Sequence, residues 1–107
     1  MAILSIIIPV YNQEELIKKA INSLPVRDDL EIIVIDDAST DNTVKSVESL
    51  ERNDIRLITL STKQSIGYCR NVGLDAAHGE FVFWLDSDDY VYTKEFEDFI
   101  DFVYRHK

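Results

Sequence analysis

The residues whose types are best suited to binding or catalysis form one acidic cluster: Asp86, Ser87, Asp88 and Asp89. They directly follow an apolar run at residues 81–85. Residues i and i+2 at a strand end point the same way, so the carboxylates of Asp86 and Asp88 can face one crevice. Two such carboxylates repel each other unless a cation or a proton lies between them. Because hard divalent cations prefer oxygen ligands, the cluster favours a metal and phosphate site over a simple turn, where Asp and Ser are also common.

An EF-hand calcium loop is a specific alternative for the same acids. Asp86, Asp88 and Glu97 occupy its first, third and twelfth positions. That loop requires glycine at the sixth position, where Val91 stands, and a helix before it rather than a strand. The sequence therefore excludes this alternative.

A second acidic pair, Asp36 and Asp37, follows the apolar run at 31–35. Thr40 and Asp41, a few residues later, are predicted to cap the next helix. The two leading carboxylates are not needed for capping. At least one of them is therefore predicted to accept a hydrogen bond from a ribose hydroxyl or a base N–H.

Two further side chains have both a structural and a ligand-binding interpretation. Tyr11, two residues after Pro9, can stack on a planar base or simply pack at the rim of the sheet. Arg70 can reach a diphosphate with its planar guanidinium, or lie on the surface of a helix. Cys69, in the middle of a predicted helix, is interpreted as a packing residue rather than a nucleophile.

Several other chemistries find no support in the sequence. The chain contains neither a GxGxxG nor a Walker pattern for phosphates, and no GxSxG elbow for acyl transfer. His78 and His106 lie near predicted helix ends, where a cation interacts favourably with the helix dipole. Both histidines are therefore interpreted as structural.

Length, charge and cysteine content set the broad class. A chain of 107 residues is one domain at most, and its net charge of −9 disfavours nucleic acids and anionic membranes as partners. The single cysteine excludes an internal disulfide and fits a reducing compartment. No apolar run approaches the ~20 residues that span a bilayer. These features predict a soluble, cytoplasmic domain without a transmembrane segment.

Short β-branched runs alternate with helical stretches along the chain. The predicted strands cover residues 3–10, 31–35, 55–60 and 80–85. Continuous apolar runs suit strands that are buried on both faces, as in a parallel sheet. Right-handed crossovers then give a Rossmann-like, doubly wound parallel α/β sheet of strand order 3-2-1-4. Ligands of such sheets bind beyond the carboxyl ends of the strands where the winding reverses, which is where the acidic residues lie.

The predicted helices have recognisable ends. Asn12 is predicted to cap the first helix, which Pro25 stops, and Thr40 or Asp41 the second. The third runs from about residue 65 to 78 and ends at Gly79 as a left-handed residue. The fourth begins at Thr93.

Four segments occur in a fixed order: SIIIPVYN at 5–12, IDDASTD at 35–41, RNVG at 70–73 and LDSDD at 85–89. In this order and spacing they resemble the nucleotide-binding half of inverting family-two glycosyltransferases, which have the GT-A fold. The resemblance extends from residue 4 to about residue 104. It implies an enzyme that transfers a sugar from a nucleotide-sugar, most often a UDP-sugar, to an acceptor hydroxyl with inversion.

The resemblance also assigns roles to residues. Pro9 and Tyr11 would line the base pocket, and Asp37 would hydrogen-bond the base. Arg70 would lie near the diphosphate.

Asp86 and Asp88 would form the family's D-x-D motif, with Asp86 near the ribose or metal and Asp88 as the main ligand of Mg²⁺ or Mn²⁺. An acidic rim can hold a diphosphate only through such a cation.

Two departures from the family pattern qualify the resemblance. Lys63 and Ser65 stand where many relatives carry Asn and Gly. Relatives also continue for a hundred or more residues, which supply the acceptor contacts and the catalytic base. Residues 1–107 are therefore expected to be the nucleotide-sugar-binding half-domain without the acceptor half, and the catalytic residue is unknown.

Two alternatives accompany this interpretation. The chain can instead be a module that binds nucleotide and metal and is catalytically incomplete on its own. A signalling receiver domain would need paired acids after the first strand, where Pro9 to Asn12 stand. A homo-oligomer is also expected, through the exposed edge of the fourth strand and the aromatic residues Phe102 and Tyr104.

Overall fold

The computed structural model describes residues 2–107, which form a four-stranded sheet flanked by helices. The strands are β1 (Leu4–Val10), β2 (Leu30–Asp36), β3 (Ile55–Thr59) and β4 (Phe81–Trp84). The helices are α1 (Leu16–Asn22), α2 (Thr43–Glu48), α3 (Ile66–Ala76) and α4 (Thr93–His106). All neighbouring strands are parallel and their order is β3-β2-β1-β4, which confirms the predicted sheet. Within residues 2–107, no helix is both long and apolar enough to cross a membrane.

The central strands β1 and β2 are buried because helices cover both faces of the sheet. On one face, alternate residues such as Ile6 and Ile32 pack in a cluster with Ile17 of α1 and Ile100 of α4. On the other face, the intervening residues of both strands contact α3. Each buried isoleucine contributes about 1.5–3 kcal/mol relative to exposure, so this packing stabilises the sheet whose carboxyl ends position the site.

The prediction that Asn12 caps α1 is wrong, because Asn12 instead joins two loops. The helix begins at Leu16, four residues later, and its cap position makes no side-chain hydrogen bond. Asn12 adopts a left-handed backbone (φ 51°), and its Oδ1 accepts the N–H groups of Thr40 (2.8 Å) and Asp41 (3.3 Å). It therefore ties the loop after β1 to the loop after β2.

The start of α2 also differs from the prediction. Its cap position is Asn42, without a side-chain hydrogen bond, and Thr40 does not cap the helix. Asp41 is closer to its predicted role, since its Oδ1 accepts the backbone N–H of Thr43 at 2.9 Å.

The two ends of α3 had different outcomes. The helix starts close to the predicted residue 65, and Ser65 caps it, because its Oγ accepts the N–H of Tyr68 at 3.1 Å. Gly79, however, is not a left-handed cap residue, since its φ is not positive. It packs against β1, where an added Cβ would lie 2.7 Å from Ser5 Oγ. The glycine is needed for this close approach, and its N–H donates to Ser5 Oγ at 2.8 Å.

Two glycines of α3 give a matched prediction about packing. A Cβ on Gly73 would lie 2.8 Å from Ile35 Cδ1 and closer still to Ile7 Cγ2, whereas a Cβ on Gly67 would meet nothing nearer than 3.9 Å. Gly73→Ala is expected to lower the free energy of unfolding by about 1–3 kcal/mol through overpacking. Gly67→Ala is expected to raise it by roughly 0.5–1 kcal/mol, because alanine favours the helix.

Urea unfolding of the two variants tests this prediction. Equal effects at both positions would show that α3 does not pack against the sheet as closely as the structure indicates.

Candidate nucleotide and metal site

The carboxyl ends of β1, β2 and β4 meet at one edge of the sheet. Val10 pairs with Asp36 at the end of β1 and β2, and Asp37 N–H donates to Val10 O at 2.9 Å. On the other side of β1, Leu85 N–H donates to Ile7 O at 3.1 Å. These bonds place the residues that follow all three strands at the predicted edge, where the winding of the sheet reverses.

A pocket of about 220 Å³ opens at this edge. It is lined by Pro9, Val10, Tyr11, Asp37, Lys63, Ile66, Cys69 and Ser87. The structure thus brings together Pro9, Tyr11 and Asp37, the three residues that the resemblance assigned to a base. The side chain of Tyr11 offers a face for stacking because the residue is 41% exposed.

Asp37 is the buried charge of the pocket, with 4% of its surface exposed. Its Oδ1 accepts the backbone N–H of Gln64 at 2.7 Å, and its Oδ2 accepts Lys63 Nζ at 2.9 Å. Burial by itself raises the pKa of this carboxyl, but the hydrogen bonds from Lys63 and Gln64 outweigh it and hold the pKa below its ordinary value. Asp37 is therefore an ionised acceptor at neutral pH.

Lys63 is the residue of this site whose role the sequence did not reveal. The sequence marked it only as a departure from the family pattern. Its ammonium contacts Asp37 and lies 4.6 Å from the centroid of the Tyr11 ring. The hydrogen bond to Asp37 raises the pKa of Lys63, so the group is charged at neutral pH. A lysine directly after a polar loop carries no local signal for such a contact, which joins residues 26 positions apart.

Asp36, the other member of the pair, is buried and organises its own loop. Its Oδ2 accepts the N–H of Ser39 at 3.2 Å, and its Oδ1 has no hydrogen-bond partner within residues 2–107. Ala38, between Asp36 and Ser39, has a left-handed backbone (φ 59°), which costs a non-glycine residue roughly 1 kcal/mol. Side chains alternate along a strand, so Asp37 lies on the same face as Ile35, which packs against α3, and it lines the pocket.

Arg70 lies beside the acidic cluster rather than in the pocket. Its Nη2 is 3.6 Å from Asp86 Oδ1, and its guanidinium lies 5.8 Å from the ring centroid of Trp84. Both members of the pair are substantially exposed, and exposed ion pairs contribute only about 0–1 kcal/mol. Arg70 can therefore exchange Asp86 for a phosphate at little cost.

The acidic cluster is gathered by a turn. Asp89 N–H donates to Asp86 O at 3.0 Å, so this segment forms a turn, and its role as a metal ligand stays a prediction. Carboxylate oxygens of Asp86, Asp88 and Asp89 all lie within 4.8 Å of one another, and all three residues are exposed. Asp89 was not among the predicted ligands. An all-oxygen set with three mutually repelling charges fits a hard divalent cation such as Mg²⁺ or Mn²⁺.

Among residues 2–107, the histidines and the cysteine lie apart from the pocket chemistry or are unreactive. His78 bonds to Glu31 near the amino ends of the strands, and His106 stacks on Phe102 at the end of α4. Burial raises the pKa of the Cys69 thiol to about 11, so Cys69 stays protonated and unreactive at neutral pH.

A parallel sheet with a base-sized pocket and a cluster of carboxylates on one edge defines the class of protein. It is the arrangement of the nucleotide-binding part of GT-A-fold glycosyltransferases. Residues 5–107 match the family Glycosyl transferase family 2, and the chain belongs to that family.

Curated relatives are named glycosyltransferases. The poly(ribitol-phosphate) beta-N-acetylglucosaminyltransferase TarS of Staphylococcus aureus is 38% identical over 108 residues, which cover 95% of this chain and 19% of the relative. The GalNAc(5)-diNAcBac-PP-undecaprenol beta-1,3-glucosyltransferase of Campylobacter jejuni is 45% identical over 91 residues, covering 80% of this chain and 29% of the relative. The chain thus spans less than a third of the length of either relative.

Solved structures agree with this assignment. The crystal structure of S. aureus TarS 1–349 in complex with UDP superposes with a TM-score of 0.88 at 36% identity, covering 99% of this chain and 33% of that one. The mannosyltransferase PcManGT from Pyrobaculum calidifontis, in complex with GDP-Man and Mn²⁺, has a TM-score of 0.74 at 30% identity, covering 82% and 28%. Neighbours of this fold therefore bind nucleotides, in one case with a divalent cation.

Proposed function

We propose that residues 1–107 are the donor-binding half-domain of a glycosyltransferase. The enzyme transfers a sugar from a UDP-sugar to an acceptor hydroxyl with inversion and depends on a divalent cation. The observation that carries the proposal is the position of the Asp37 pocket beside the gathered carboxylates of Asp86, Asp88 and Asp89 on one sheet edge. A nucleoside diphosphate fits both features. Its base can occupy the pocket, and its negatively charged diphosphate needs a cation, which the carboxylates can hold.

The base is proposed to occupy the pocket. Pro9 and Tyr11 provide its apolar and aromatic wall, and the ionised Asp37 accepts a base N–H. Because Asp37 is buried and fixed by the Gln64 N–H, it can orient a base without rearranging.

The diphosphate is proposed to lie between Arg70 and the acidic cluster. Arg70 turns from Asp86 towards a phosphate oxygen, for which its planar fork is well suited. Asp86 and Asp88 are the proposed ligands of Mg²⁺ or Mn²⁺, with Asp89 within reach. When bound, the cation neutralises the diphosphate and the charge that develops on the leaving phosphate.

The base that deprotonates the acceptor hydroxyl is proposed to come from residues outside 1–107. The matched segment makes up 19% and 29% of two curated relatives, which leaves most of their length for acceptor contacts. The second candidate function follows from the same observation. Residues 1–107 alone can bind nucleotide and metal without completing a transfer.

Two other sequence predictions belong to the proposal. The cytoplasmic location favoured by the single cysteine stays a prediction. Self-association through the outer edge of β4 also stays a prediction, consistent with the exposure of Phe81 and Trp84 on that strand and of Phe102 and Tyr104 on α4. A clean monomer in light scattering at high concentration would contradict self-association.

Calorimetric titration with UDP tests the donor site directly. Binding is expected in the presence of Mn²⁺ and is expected to disappear when EDTA removes the cation. A transfer assay on the same sample separates the two candidates, because binding without sugar transfer identifies the incomplete module. Failure to bind UDP with Mn²⁺ would contradict both.

A further inference from the structure

The ion pair between Lys63 and Asp37 has unused hydrogen-bonding capacity. Lys63 Nζ donates to Asp37 Oδ2 at 2.9 Å and to Gln64 O at 3.1 Å. An ammonium has three N–H groups, so one of them is free of partners within residues 2–107. The side chain of Lys63 is 52% exposed and lines the pocket. Lys63 can therefore donate a hydrogen bond to a ligand while it keeps its hydrogen bond to Asp37.

Asp37 and Lys63 offer a fixed pair of opposite hydrogen-bonding types. The ionised carboxylate is only an acceptor, and the ammonium is only a donor. Their atoms are 2.9 Å apart, which is close to the spacing of neighbouring polar groups on a base edge. A base edge that complements the pair has an N–H donor next to a carbonyl acceptor.

Only some bases have such an edge. Uracil and thymine present N3–H beside O4, and guanine presents N1–H beside O6. Cytosine and adenine present the reverse order, a ring-nitrogen acceptor beside an amino donor. In the pocket, that order would set a lone pair against the carboxylate and an amino group against the ammonium.

We propose that Lys63 is a base-selecting residue, which donates to the base carbonyl next to the N–H that Asp37 accepts. The pair then selects nucleotides of uracil, thymine or guanine against those of cytosine and adenine. This inference rests on the proposed donor-binding function. It adds a residue that the family pattern does not supply, because Lys63 stands where many relatives carry an amide.

The size of the effect follows from leaving charged groups unpaired. A site that is built to hydrogen-bond a particular group rejects analogues that lack it, because its own polar groups then lose their partners. One hydrogen bond to a charged group corresponds to about 10- to 100-fold in affinity. The ammonium also lies over the Tyr11 ring, 4.6 Å from its centroid, which holds Lys63 at the wall of the pocket that Asp37 lines.

The test compares nucleotides and variants in one set of titrations with Mn²⁺. Wild-type protein is titrated with UDP, dTDP, GDP, CDP and ADP, and the first three arms identify which complementary base is preferred. UDP, if it is that base, is expected to bind at least about tenfold more tightly than CDP. Lys63→Met is expected to remove about tenfold of the UDP affinity and little of the CDP affinity, so that the UDP to CDP ratio falls about tenfold to the preference that Asp37 alone retains.

Two variants serve as controls. Lys94→Met removes a lysine that also bonds an aspartate at 2.9 Å, Asp98, but on the exposed face of α4, and it is expected to change no affinity. Lys63→Gln keeps an N–H donor without the charge, and it is expected to retain a preference for UDP over CDP. Circular dichroism confirms that each variant is folded.

The outcomes separate this inference from the proposed function. Wild-type protein that binds UDP and CDP equally, or a Lys63→Met variant that loses equal affinity for both, would overturn base selection by Lys63 and leave the donor site standing. Wild-type protein that binds none of the five nucleotides would overturn both.

Discussion

Asp88→Asn is expected to abolish manganese-dependent UDP binding, with a loss of affinity of about 100-fold or more. The carboxylate oxygens of Asp86, Asp88 and Asp89 lie within 4.8 Å of one another, so removal of the proposed main ligand leaves two charges and an incomplete coordination shell. The diphosphate of UDP then meets an acidic rim without its cation. Because Asp88 is exposed, the free energy of unfolding is expected to change little.

Calorimetry with UDP, with and without Mn²⁺, measures this effect. Asp75→Asn is the matched control, since Asp75 is an exposed aspartate of α3 outside the acidic cluster. It is expected to leave UDP affinity unchanged. If wild-type protein binds UDP equally with and without the ion, the metal role of Asp88 is wrong.

Arg52→Met is expected to lower the free energy of unfolding by about 2–4 kcal/mol. The guanidinium donates to three carbonyls at the end of α1, those of Ile21 (2.8 Å), Leu24 (3.0 Å) and Pro25 (3.1 Å). It also pairs with Asp54 at 2.7 Å, where the side chains of the two residues are only 12% and 14% exposed. Methionine retains most of the apolar stem but leaves the carbonyls and the carboxylate without their donor.

Arg56→Met is the control for this substitution. Arg56 is an exposed arginine of β3 whose side chain donates to one carbonyl, that of Ala76, at 3.2 Å. Its loss is expected to cost about 0.5 kcal/mol or less. Urea unfolding measures both variants, and equal stabilities would show that the Arg52 network does not hold the α1 end in solution. A stable domain has only about 5–15 kcal/mol in total, so the expected difference is large.

The architecture followed from patterns that are local in sequence. Runs such as Ile6 to Ile8 are apolar at every position, which indicates a strand covered on both faces, and the helical stretches between them require parallel crossovers. The start of α3 near residue 65 was predicted within a residue, and Ser65 bonds there within its own helix turn. The predicted strand ends were each within a residue or so of the observed ones for the same reason.

The wrong predictions concern residues whose partners are distant in sequence. Asn12 is of a residue type that often caps helices, but its side-chain oxygen accepts the backbone N–H of Thr40, 28 residues away. Gly79 has the position of a helix terminator, but its contact is with Ser5, 74 residues away. Propensity describes what a residue can do locally, and it cannot show which competing long-range bond is available.

The sequence by itself determined that acidic residues leave several parallel strands at one sheet edge, because strand direction and side-chain alternation follow from local periodicity. Only the tertiary structure decided which of them act together. It paired Asp37 with Lys63, placed Arg70 3.6 Å from Asp86, and brought the carboxylate of Asp89 within reach of those of Asp86 and Asp88. These contacts depend on how separate loops fold over a shared edge, and loop geometry is fixed by packing and hydrogen bonds between distant segments rather than by periodicity.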